Sequence, residues 1–452
     1  MDKMILYLLK DALTDMENLQ DYYLSQKSYV HSYVKDNIEK YKYGVILDRF
    51  FTKKVINLEE LEISEYEQKV VDDIVDEFTI EEKEDCSLIK YKLNSARDFS
   101  NYEMDPQNAR INFSKLIQQP SILNESMIMM LLVKYEEAIS GIYRFLLESY
   151  PQAYLSDRSI TYSDLMSFDS NIDDIKEKFI SKEIDEFMRL PISDWYKSFE
   201  TKQKAKFFFD NDEFEIFKEI YYRRNLVVHN QGIVNEIYKK NVMKCEYEVG
   251  EQLAVSDDYL ENAFIAARKI VIGTVWGLRK TADDSEELNA FLFEYGYNCL
   301  KNEEWELAEY IYSMLLNDDK QNDADKMCEQ VNMWIAIKNG KGLEKIEEEV
   351  KNLDISAMKN QFAVAKYALL NEFETVSMLL NDAIKSEIPA WCIKDWPLLN
   401  QYRESEQYRT FIEEHKKMFE TQGYESNNET VESTEEILNE LRNDLEELEQ
   451  AV

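Results

Sequence analysis

Residues 210–232 read DNDEFEIFKEIYYRRNLVVHNQG and carry clear signals for both ends of a helix. Asp210 and Glu213 have the spacing of a capping box, in which each side chain bonds the backbone N–H of the other residue at a helix start. Apolar residues follow at the spacing of one helix face: Phe214, Phe217 and Tyr221. Gly232 is a residue type that ends helices. The stretch therefore predicts one helix with polar residues in its C-terminal half.

A long helix is predicted upstream of this stretch. After Pro120, either Asn124 or Ser126 has the side chain to cap a helix, and Pro151 stops it. The apolar residues between these points repeat every three or four positions, which is typical of a face buried in a core.

Other segments carry the same helical spacing. A first helix is predicted through Leu6 to Leu19, and a later one begins at Ser256 or Asp257 and runs to Leu278. The remaining helices of this part are predicted at residues 66–80, 163–168, 170–190 and 193–208. Because the chain has only 10 Gly and 6 Pro in 452 residues, we predict an all-α fold.

The formal net charge of −37 limits the kinds of partner. Since neutralised phosphates supply most of the non-specific affinity for nucleic acid, this charge opposes non-specific binding of DNA or RNA. A nucleic-acid function therefore needs a local and selective site. Two alternatives remain: the charge only keeps an abundant protein soluble, or the acidic surface mimics nucleic acid.

The spacing of the cysteines and the length of the apolar runs indicate which cellular compartment suits the chain. The five cysteines lie far apart and form no CxxC pair: Cys86, Cys245, Cys299, Cys328 and Cys392. Neither a disulfide framework nor a zinc ribbon is indicated, and a reducing cytoplasm fits best. The apolar run Met4 to Leu9 is too short for a signal sequence or a membrane span, so no membrane contact is expected.

From Glu286 onward the pattern changes to paired helices that are similar to a tetratricopeptide (TPR) repeat. The matching residues are Leu292, Tyr295, Gly296, Cys299, Trp305, Ala308, Tyr312 and Leu315. Small Gly296 and Ala308 stand where the two helices of such a repeat touch. Two echoes follow at 333–350 and 362–384, and helical hairpins of unrelated origin are an alternative.

The tail from Thr421 is acidic and amphipathic. Ser433 and Glu436 can cap a final helix with a narrow apolar seam, formed by Ile437, Leu441, Leu445, Leu448 and Val452. This seam suggests docking onto a partner or a sister chain. A solvated helix after a polar linker is the alternative.

The segment from Arg223 to Asn235 closely resembles the signature of a bacterial HEPN subfamily. In this signature an arginine and a histidine are separated by four residues, here Arg224 and His229. The resemblance covers about residues 120–280 and includes the preceding long helix and the turn at 247–251. It implies a HEPN helical bundle, followed here by TPR-like helical hairpins.

The resemblance also implies an activity. HEPN ribonucleases cut RNA, tRNA included, without a metal or other cofactor, and two domains pair into a homodimer with one composite site. Arg224 and His229 would be the catalytic pair, with Asn225 and Asn230 in support. A basic rim for RNA would be formed by Arg223, Lys239, Lys240 and Lys244. Such nucleases act as toxins in abortive infection and antiviral defence.

Elementary chemistry supports this interpretation. Asn225 and His229 are four residues apart and share one helix face, while Arg224 projects about 140° from His229. A guanidinium binds phosphate in bidentate fashion, and a neutral imidazole exchanges protons near pH 7. These groups suffice for attack of a ribose 2′-OH on the adjacent phosphate. In the alternative, arginine and histidine only cap the helix end and hold the Gly232 turn.

We therefore expect four regions: an N-terminal helical region of unassigned role at 1–120, a HEPN domain at 121–282, TPR-like repeats at 283–420, and an acidic tail at 421–452. The function expected from the resemblance is a regulated endoribonuclease. The alternative is a non-catalytic interaction or sensor protein, whose TPR-like region and tail hold a protein partner.

Overall fold

The computed structural model describes residues 2–56, 62–82, 87–156, 172–243, 246–279, 282–318, 323–356, 358–384 and 388–416, together with residue 419. Within these residues the chain forms 18 α-helices and one two-stranded sheet. The all-α fold predicted from the sequence is confirmed. The chain divides into two compact units, residues 1–284 and 285–452, which we call the N-terminal and C-terminal units.

The elements of the N-terminal unit are α1 (Asp2–Ile56), α2 (Glu65–Ile74), β1 (Val75–Glu82), β2 (Ser87–Leu93), α3 (Pro106–Ser149), α4 (Pro151–Leu155), α5 (Ile172–Met188), α6 (Ile192–Gln203), α7 (Asn211–Asn230), α8 (Glu236–Asn241) and α9 (Asp257–Leu278). Helix α3 lies at the centre, in contact with α1, α5, α7 and α9.

Helices α1 and α3 pack along much of their length at close range. Gly44 of α1 lies where a Cβ atom would be 2.3 Å from Ala109 Cβ and 2.4 Å from the Glu103 carbonyl oxygen. Only glycine allows this approach of the backbones. Leu9, Met16 and Leu47 of α1 are fully buried, so one face of this 55-residue helix is core.

The prediction that a helix starts at Asn124 or Ser126 is wrong. Helix α3 begins at Pro106, where the Asp105 side chain accepts a hydrogen bond from the Asn108 N–H at 2.7 Å, and it continues through Pro120. A proline removes one hydrogen bond from a helix interior, but the packing of α3 on α1 spans the site. The expected boundary between residues 120 and 121 thus falls inside a helix. The predicted stop at Pro151 is confirmed, because α3 ends at Ser149.

The prediction of one helix over residues 66–80 is also wrong in its second half. Helix α2 ends at Ile74, and β1 pairs with β2 in an antiparallel hairpin. The ring of Phe78 packs 5.6 Å from Phe50 and 5.7 Å from Phe51 of α1. This aromatic contact on α1, together with pairing to a second strand, outweighs the local helical spacing.

Two further predicted helices are present in the structure, and one of them is shorter than predicted. The helix predicted at 170–190 is confirmed as α5. The helix predicted at 193–208 ends earlier, because Lys204 adopts a left-handed conformation with φ of 55°. The helix predicted at 163–168 lies outside the described residues.

The helices of the C-terminal unit are α10 (Ala282–Lys301), α11 (Trp305–Leu316), α12 (Asp323–Lys341), α13 (Glu347–Asn352), α14 (Asn360–Leu369), α15 (Phe373–Ala383), α16 (Ala390–Asp395), α17 (Asn400–Arg403) and α18 (Glu406–Glu414). Short 3-10 turns lie at Leu343–Lys345 and Pro397–Leu399.

The helix pair predicted around Gly296 and Ala308 is confirmed as α10 and α11. A Cβ atom at Gly296 would lie 3.0 Å from the Tyr312 ring, and Ala308 is fully buried. The two echoes correspond to α12 with α13 and to α14 with α15. The predicted tail helix lies outside the described residues. None of the helices that the structure describes is long and apolar enough to cross a membrane.

Candidate functional site

Helix α7 is built by the local signals that its sequence carries. Its start is the predicted capping box: the Glu213 N–H donates to Asp210 Oδ1 at 2.8 Å, and the Asp210 N–H donates to Glu213 Oε2 at 3.2 Å. Its end is a left-handed residue, Gln231 with φ of 55°, followed by Gly232 with φ of 75°. The Gly232 N–H donates to the Leu226 carbonyl at 3.0 Å. This closure places residue 224 inside the helix and residue 229 in its last turn.

Gly232 is required for contact with the following chain as well. A Cβ atom there would lie 2.8 Å from Gln252 Nε2 and 2.9 Å from the Leu253 carbonyl oxygen. The Gln252 amide donates in turn to the Gln231 carbonyl at 2.6 Å. The end of α7 is therefore pinned against the chain that leads into α9.

Arg224 faces helix α3. Its guanidinium forms an ion pair with Glu136, and 15% of the Arg224 side chain and 27% of the Glu136 side chain are exposed. The Tyr221 ring lies 5.2 Å from the guanidinium carbon. Burial, followed by the charge of Glu136, raises the pKa of Tyr221 to about 12. Arg224 is thus held within the chain by a carboxylate and an aromatic ring.

One nitrogen of Arg224 is left without a partner. Nε is buried and makes no hydrogen bond within the described residues. A buried donor without an acceptor costs about 1–3 kcal/mol. The guanidinium therefore keeps a donor that Glu136 does not use.

His229 lies in a different environment from Arg224. It is exposed in the last turn of α7. Asn225, one turn earlier on the same face, is half-buried. The helix therefore presents its histidine to solvent while its arginine faces α3.

Asn230 has a contact that explains its position. Its side-chain amide donates to the Ile233 carbonyl at 2.5 Å, within the turn that follows the helix. This bond holds the backbone of the turn. A role for Asn230 in orienting His229 or a phosphate remains a prediction.

Arg223 does not form part of an exposed basic rim, and this prediction is corrected. Its side chain is only 8% exposed, and it donates to Glu219 Oε1 at 2.7 Å and to the Ala254 carbonyl at 2.9 Å. The Tyr259 ring lies 4.1 Å from its guanidinium carbon. The two adjacent arginines project to different sides of α7, and only an exposed one can reach a phosphate in solution.

Glu219 is the centre of this buried network. It accepts hydrogen bonds from Arg223, from the Tyr238 hydroxyl and, at 2.6 Å, from the Tyr259 hydroxyl. Burial and the charge of Glu219 raise the pKa of both tyrosines. Because Tyr238 is on α8 and Tyr259 is on α9, the network ties α7 to both helices.

The remaining members of the predicted rim have distinct positions. Lys239 forms an ion pair with Glu248. Lys240 is exposed on α8, and Lys244 lies outside the described residues. Among the described residues, a basic surface here would consist of Lys240 and of Lys239, whose charge is paired with the Glu248 carboxylate.

Sequence reasoning missed Glu136 and Glu219. Glu136 is 88 residues from Arg224 along the chain, and its partner follows only from the packing of α7 on α3. Glu219 lies four residues before Arg223, the spacing of a helical ion pair, and this signal was available.

Comparison of the chain with protein-family models, with curated proteins and with solved structures found no match. Among the described residues, no group of three or more His, Cys, Asp and Glu side chains is arranged to hold a metal ion. The site is therefore interpreted from its own residues.

Proposed function

We propose that the chain is a metal-independent endoribonuclease of the HEPN type, with Arg224 and His229 as its catalytic pair. The observation that carries the proposal is the different setting of two side chains of α7. The Arg224 guanidinium is fixed and partly exposed, and the His229 imidazole, five residues later, is exposed to solvent. A fixed cation suits a developing phosphorane charge, and an open imidazole suits proton exchange with a substrate.

In the proposed reaction the ribose 2′-oxygen attacks the adjacent phosphorus atom. The bond from this oxygen to phosphorus forms, and the bond from phosphorus to the 5′-oxygen breaks. An imidazole removes the proton of the 2′-OH, and an imidazolium delivers a proton to the leaving 5′-oxygen. The products are a 2′,3′-cyclic phosphate and a 5′-hydroxyl.

This reaction needs an acid and a base, whereas each chain offers one histidine at the site. We therefore propose a homodimer in which the site takes one His229 from each copy. Exposed apolar side chains near the motif suit such a contact: Val228 is 44% exposed and Ile237 is 66% exposed. Solvent-exposed apolar groups of this kind gain free energy when a second surface covers them.

Binding of RNA requires Arg224 to exchange part of its interaction with Glu136 for a phosphate. A guanidinium has five N–H donors, so it can hold a carboxylate and a phosphate at once. A phosphate would bind the part of the Arg224 side chain that is exposed, 15% of its area. Since the net charge is −37, selectivity for RNA has to come from this local site.

The biological role proposed is that of a regulated toxin or abortive-infection effector against phage, with tRNA among its substrates. Toxicity of such an enzyme would explain a need for restraint. The C-terminal unit and the tail are the regions proposed to bind a protein regulator.

A second candidate function is a non-catalytic interaction protein. Two contacts favour it: Arg224 is already paired with Glu136, and the Asn230 amide is already bonded to Ile233. Both residues then serve to hold α7 in place. In that case the exposed surface near the motif serves assembly alone.

Substitution of His229 separates the two candidates. Wild type and H229A are incubated with total tRNA in the presence of EDTA, and H415A serves as a matched control because it removes a histidine of the C-terminal unit, outside the catalytic pair and the basic rim. The ribonuclease proposal predicts cleavage by wild type and H415A and none by H229A. Gel filtration is expected to give the same assembly for all three.

A growth assay extends the same comparison to cells. Expression of wild type is expected to arrest growth, whereas H229A at equal abundance is expected to be harmless. If the two chains have equal effects on RNA and on growth, the interaction protein is the better account.

A further inference from the structure

The C-terminal unit contains an apolar groove of about 390 Å³. It lies between α10, α12, α14 and the segment around α16. Its apolar lining includes Phe293, Val331, Phe362, Ala365, Ile388 and Trp396. A groove of this size and composition is in the range of sites that bind small molecules or apolar side chains.

Two cysteines also line the groove. Cys328 of α12 and Cys392 of α16 are free thiols and half-buried. Burial raises the pKa of both thiols. They provide a chemical reporter for whether the groove is open or covered.

The described chain ends beside this groove. Nζ of Lys394 lies 5.4 Å from the centre of the Phe419 ring, and that ring lies 6.3 Å from Phe411 of α18. Lys394 and Cys392 are both on α16. The residues that follow 419 therefore start next to the helix that forms one wall of the groove.

The chain beyond residue 419 contains a matching apolar face. The seam of Ile437, Leu441, Leu445 and Leu448 repeats every three or four residues, and ten acidic groups in 425–449 occupy other positions. A helix with so narrow an apolar face is only marginally stable alone, and it gains stability when that face is covered.

We propose that residues 433–452 dock as an amphipathic helix in this groove of their own chain, with the leucine seam against the apolar lining. The inference is independent of the proposed ribonuclease activity. It assigns the groove to a segment within the chain in preference to a second copy or a foreign peptide.

The length of the linker permits this docking. Thirteen residues, 420–432, connect residue 419 to the proposed helix and span at most about 45 Å when extended. A compact unit of this size has a radius of gyration of about 14 Å, so the linker reaches any part of its surface. A short flexible connection gives an effective concentration in the millimolar range. A dissociation constant on the order of 0.1 mM would then keep the groove covered about nine-tenths of the time.

The test uses the full chain and the reaction rates of Cys328 and Cys392 with N-ethylmaleimide, resolved for each cysteine by mass spectrometry. The seam is disrupted in the double variant L441E/L445E. The matched control is N439E/N443E, which adds the same charge on the opposite helix face. The proposal predicts about ten-fold faster labelling of Cys392, and faster labelling of Cys328, in the seam variant alone.

Each other outcome overturns the proposal. Equal rates in wild type and the seam variant mean that the tail does not cover the groove. Equal acceleration in both variants means that charge, not the apolar seam, sets the rate. Protection that grows with protein concentration means that the occupant is a second copy. Thermal unfolding of the three chains checks that the C-terminal unit itself stays folded in each variant.

Discussion

Arg223 and Arg224 are neighbours in the chain with opposite surroundings. Arg223 is 8% exposed and lies in a network around Glu219, whereas Arg224 is 15% exposed and pairs with Glu136 of α3. At the residue scale, therefore, the first arginine holds the fold, and the second is the one that we propose for chemistry. This assignment predicts a coupling energy between Arg224 and Glu136, and a difference in stability between the variants R223A and K240A.

The ion pair between Arg224 and Glu136 is expected to couple α7 to α3. Because both side chains are largely buried, the hydrogen-bonded pair is expected to contribute a coupling energy of about 1–3 kcal/mol. The measurement is a double-mutant cycle on the free energy of unfolding with E136A, R224A and the double variant. Additive effects, within about 0.5 kcal/mol, would show that the pair does not link the two helices.

Arg223 and Lys240, both predicted from the sequence to lie in one basic rim, are expected to behave differently. R223A leaves Glu219 buried without its cation and is expected to cost about 3–5 kcal/mol of stability. K240A removes an exposed side chain and is expected to change stability by less than about 0.5 kcal/mol. Urea denaturation of the two variants measures both values. Similar losses in the two variants would contradict the buried network.

At the scale of elements, local signals predicted the helix ends that depend on neighbouring residues. The capping box of Asp210 and Glu213 is such a signal, and so is the stop at Pro151. Local signals gave wrong predictions where packing between residues that are distant in the chain determines the secondary structure. Pro120 does not interrupt α3, and β1 follows α2 without a break in the apolar spacing.

The candidate site was predictable to the same extent. The positions of residues 224 and 229 on one helix follow from sequence spacing. The ion pair of Arg224 with Glu136 does not, because no local pattern links residues 88 positions apart. Burial of Arg223 also depends on α8 and α9, which fold back onto α7.

The close packing of α1 on α3 predicts how two glycine substitutions change the stability of the chain. G44A is expected to destabilise the chain by about 1–3 kcal/mol, because its Cβ would collide with Ala109 and with a backbone carbonyl. G141A gains the same helix propensity, and its Cβ would meet only the flexible Leu8 side chain at 3.1 Å. It is expected to be neutral or stabilising by up to about 1 kcal/mol. Thermal unfolding compares the two, and equal effects would contradict the close backbone approach.

At the scale of the whole molecule, the chain forms two compact units that divide after residue 284. The sequence placed a boundary between residues 282 and 283, two positions away, because the helical pattern changes there. The sequence also predicts a boundary after residue 120, because Asn124 and Ser126 have side chains that can cap a helix, but this position lies within α3. Each unit contains a buried charged group whose environment can be tested separately.

In the C-terminal unit, stability is expected to depend on pH through Lys338. This side chain is buried, donates to the Ala368 carbonyl at 3.0 Å and to Asn371 Oδ1 at 2.7 Å, and has its pKa lowered by burial to about 8. The unfolded chain keeps its proton up to about pH 10.4. Between about pH 8 and about pH 10.4 the unfolded chain therefore binds more protons at Lys338 than the folded chain does. The free energy of unfolding rises with pH across this window, and this gain is lost as the pH falls through about 8.

The variant K338M isolates this dependence. The difference in unfolding free energy between wild type and K338M is expected to grow in favour of wild type from pH 7.5 to 9.5, by at most about 1.4 kcal/mol per pH unit. Hydrogen exchange of peptides from α12 under increasing urea reports on this unit. A difference that stays constant with pH would contradict the lowered pKa.

The most direct test of the central claim, cleavage by 2′-OH attack through Arg224 and His229, is the chemistry of the RNA ends. Wild-type protein is incubated with a mixed RNA pool in EDTA, with H229A in parallel, and the fragments are treated or not with an enzyme that opens cyclic phosphates. We expect 2′,3′-cyclic phosphate and 5′-hydroxyl ends with wild type only. Fragments with 3′-hydroxyl and 5′-phosphate ends, or equal cleavage by H229A, would contradict it.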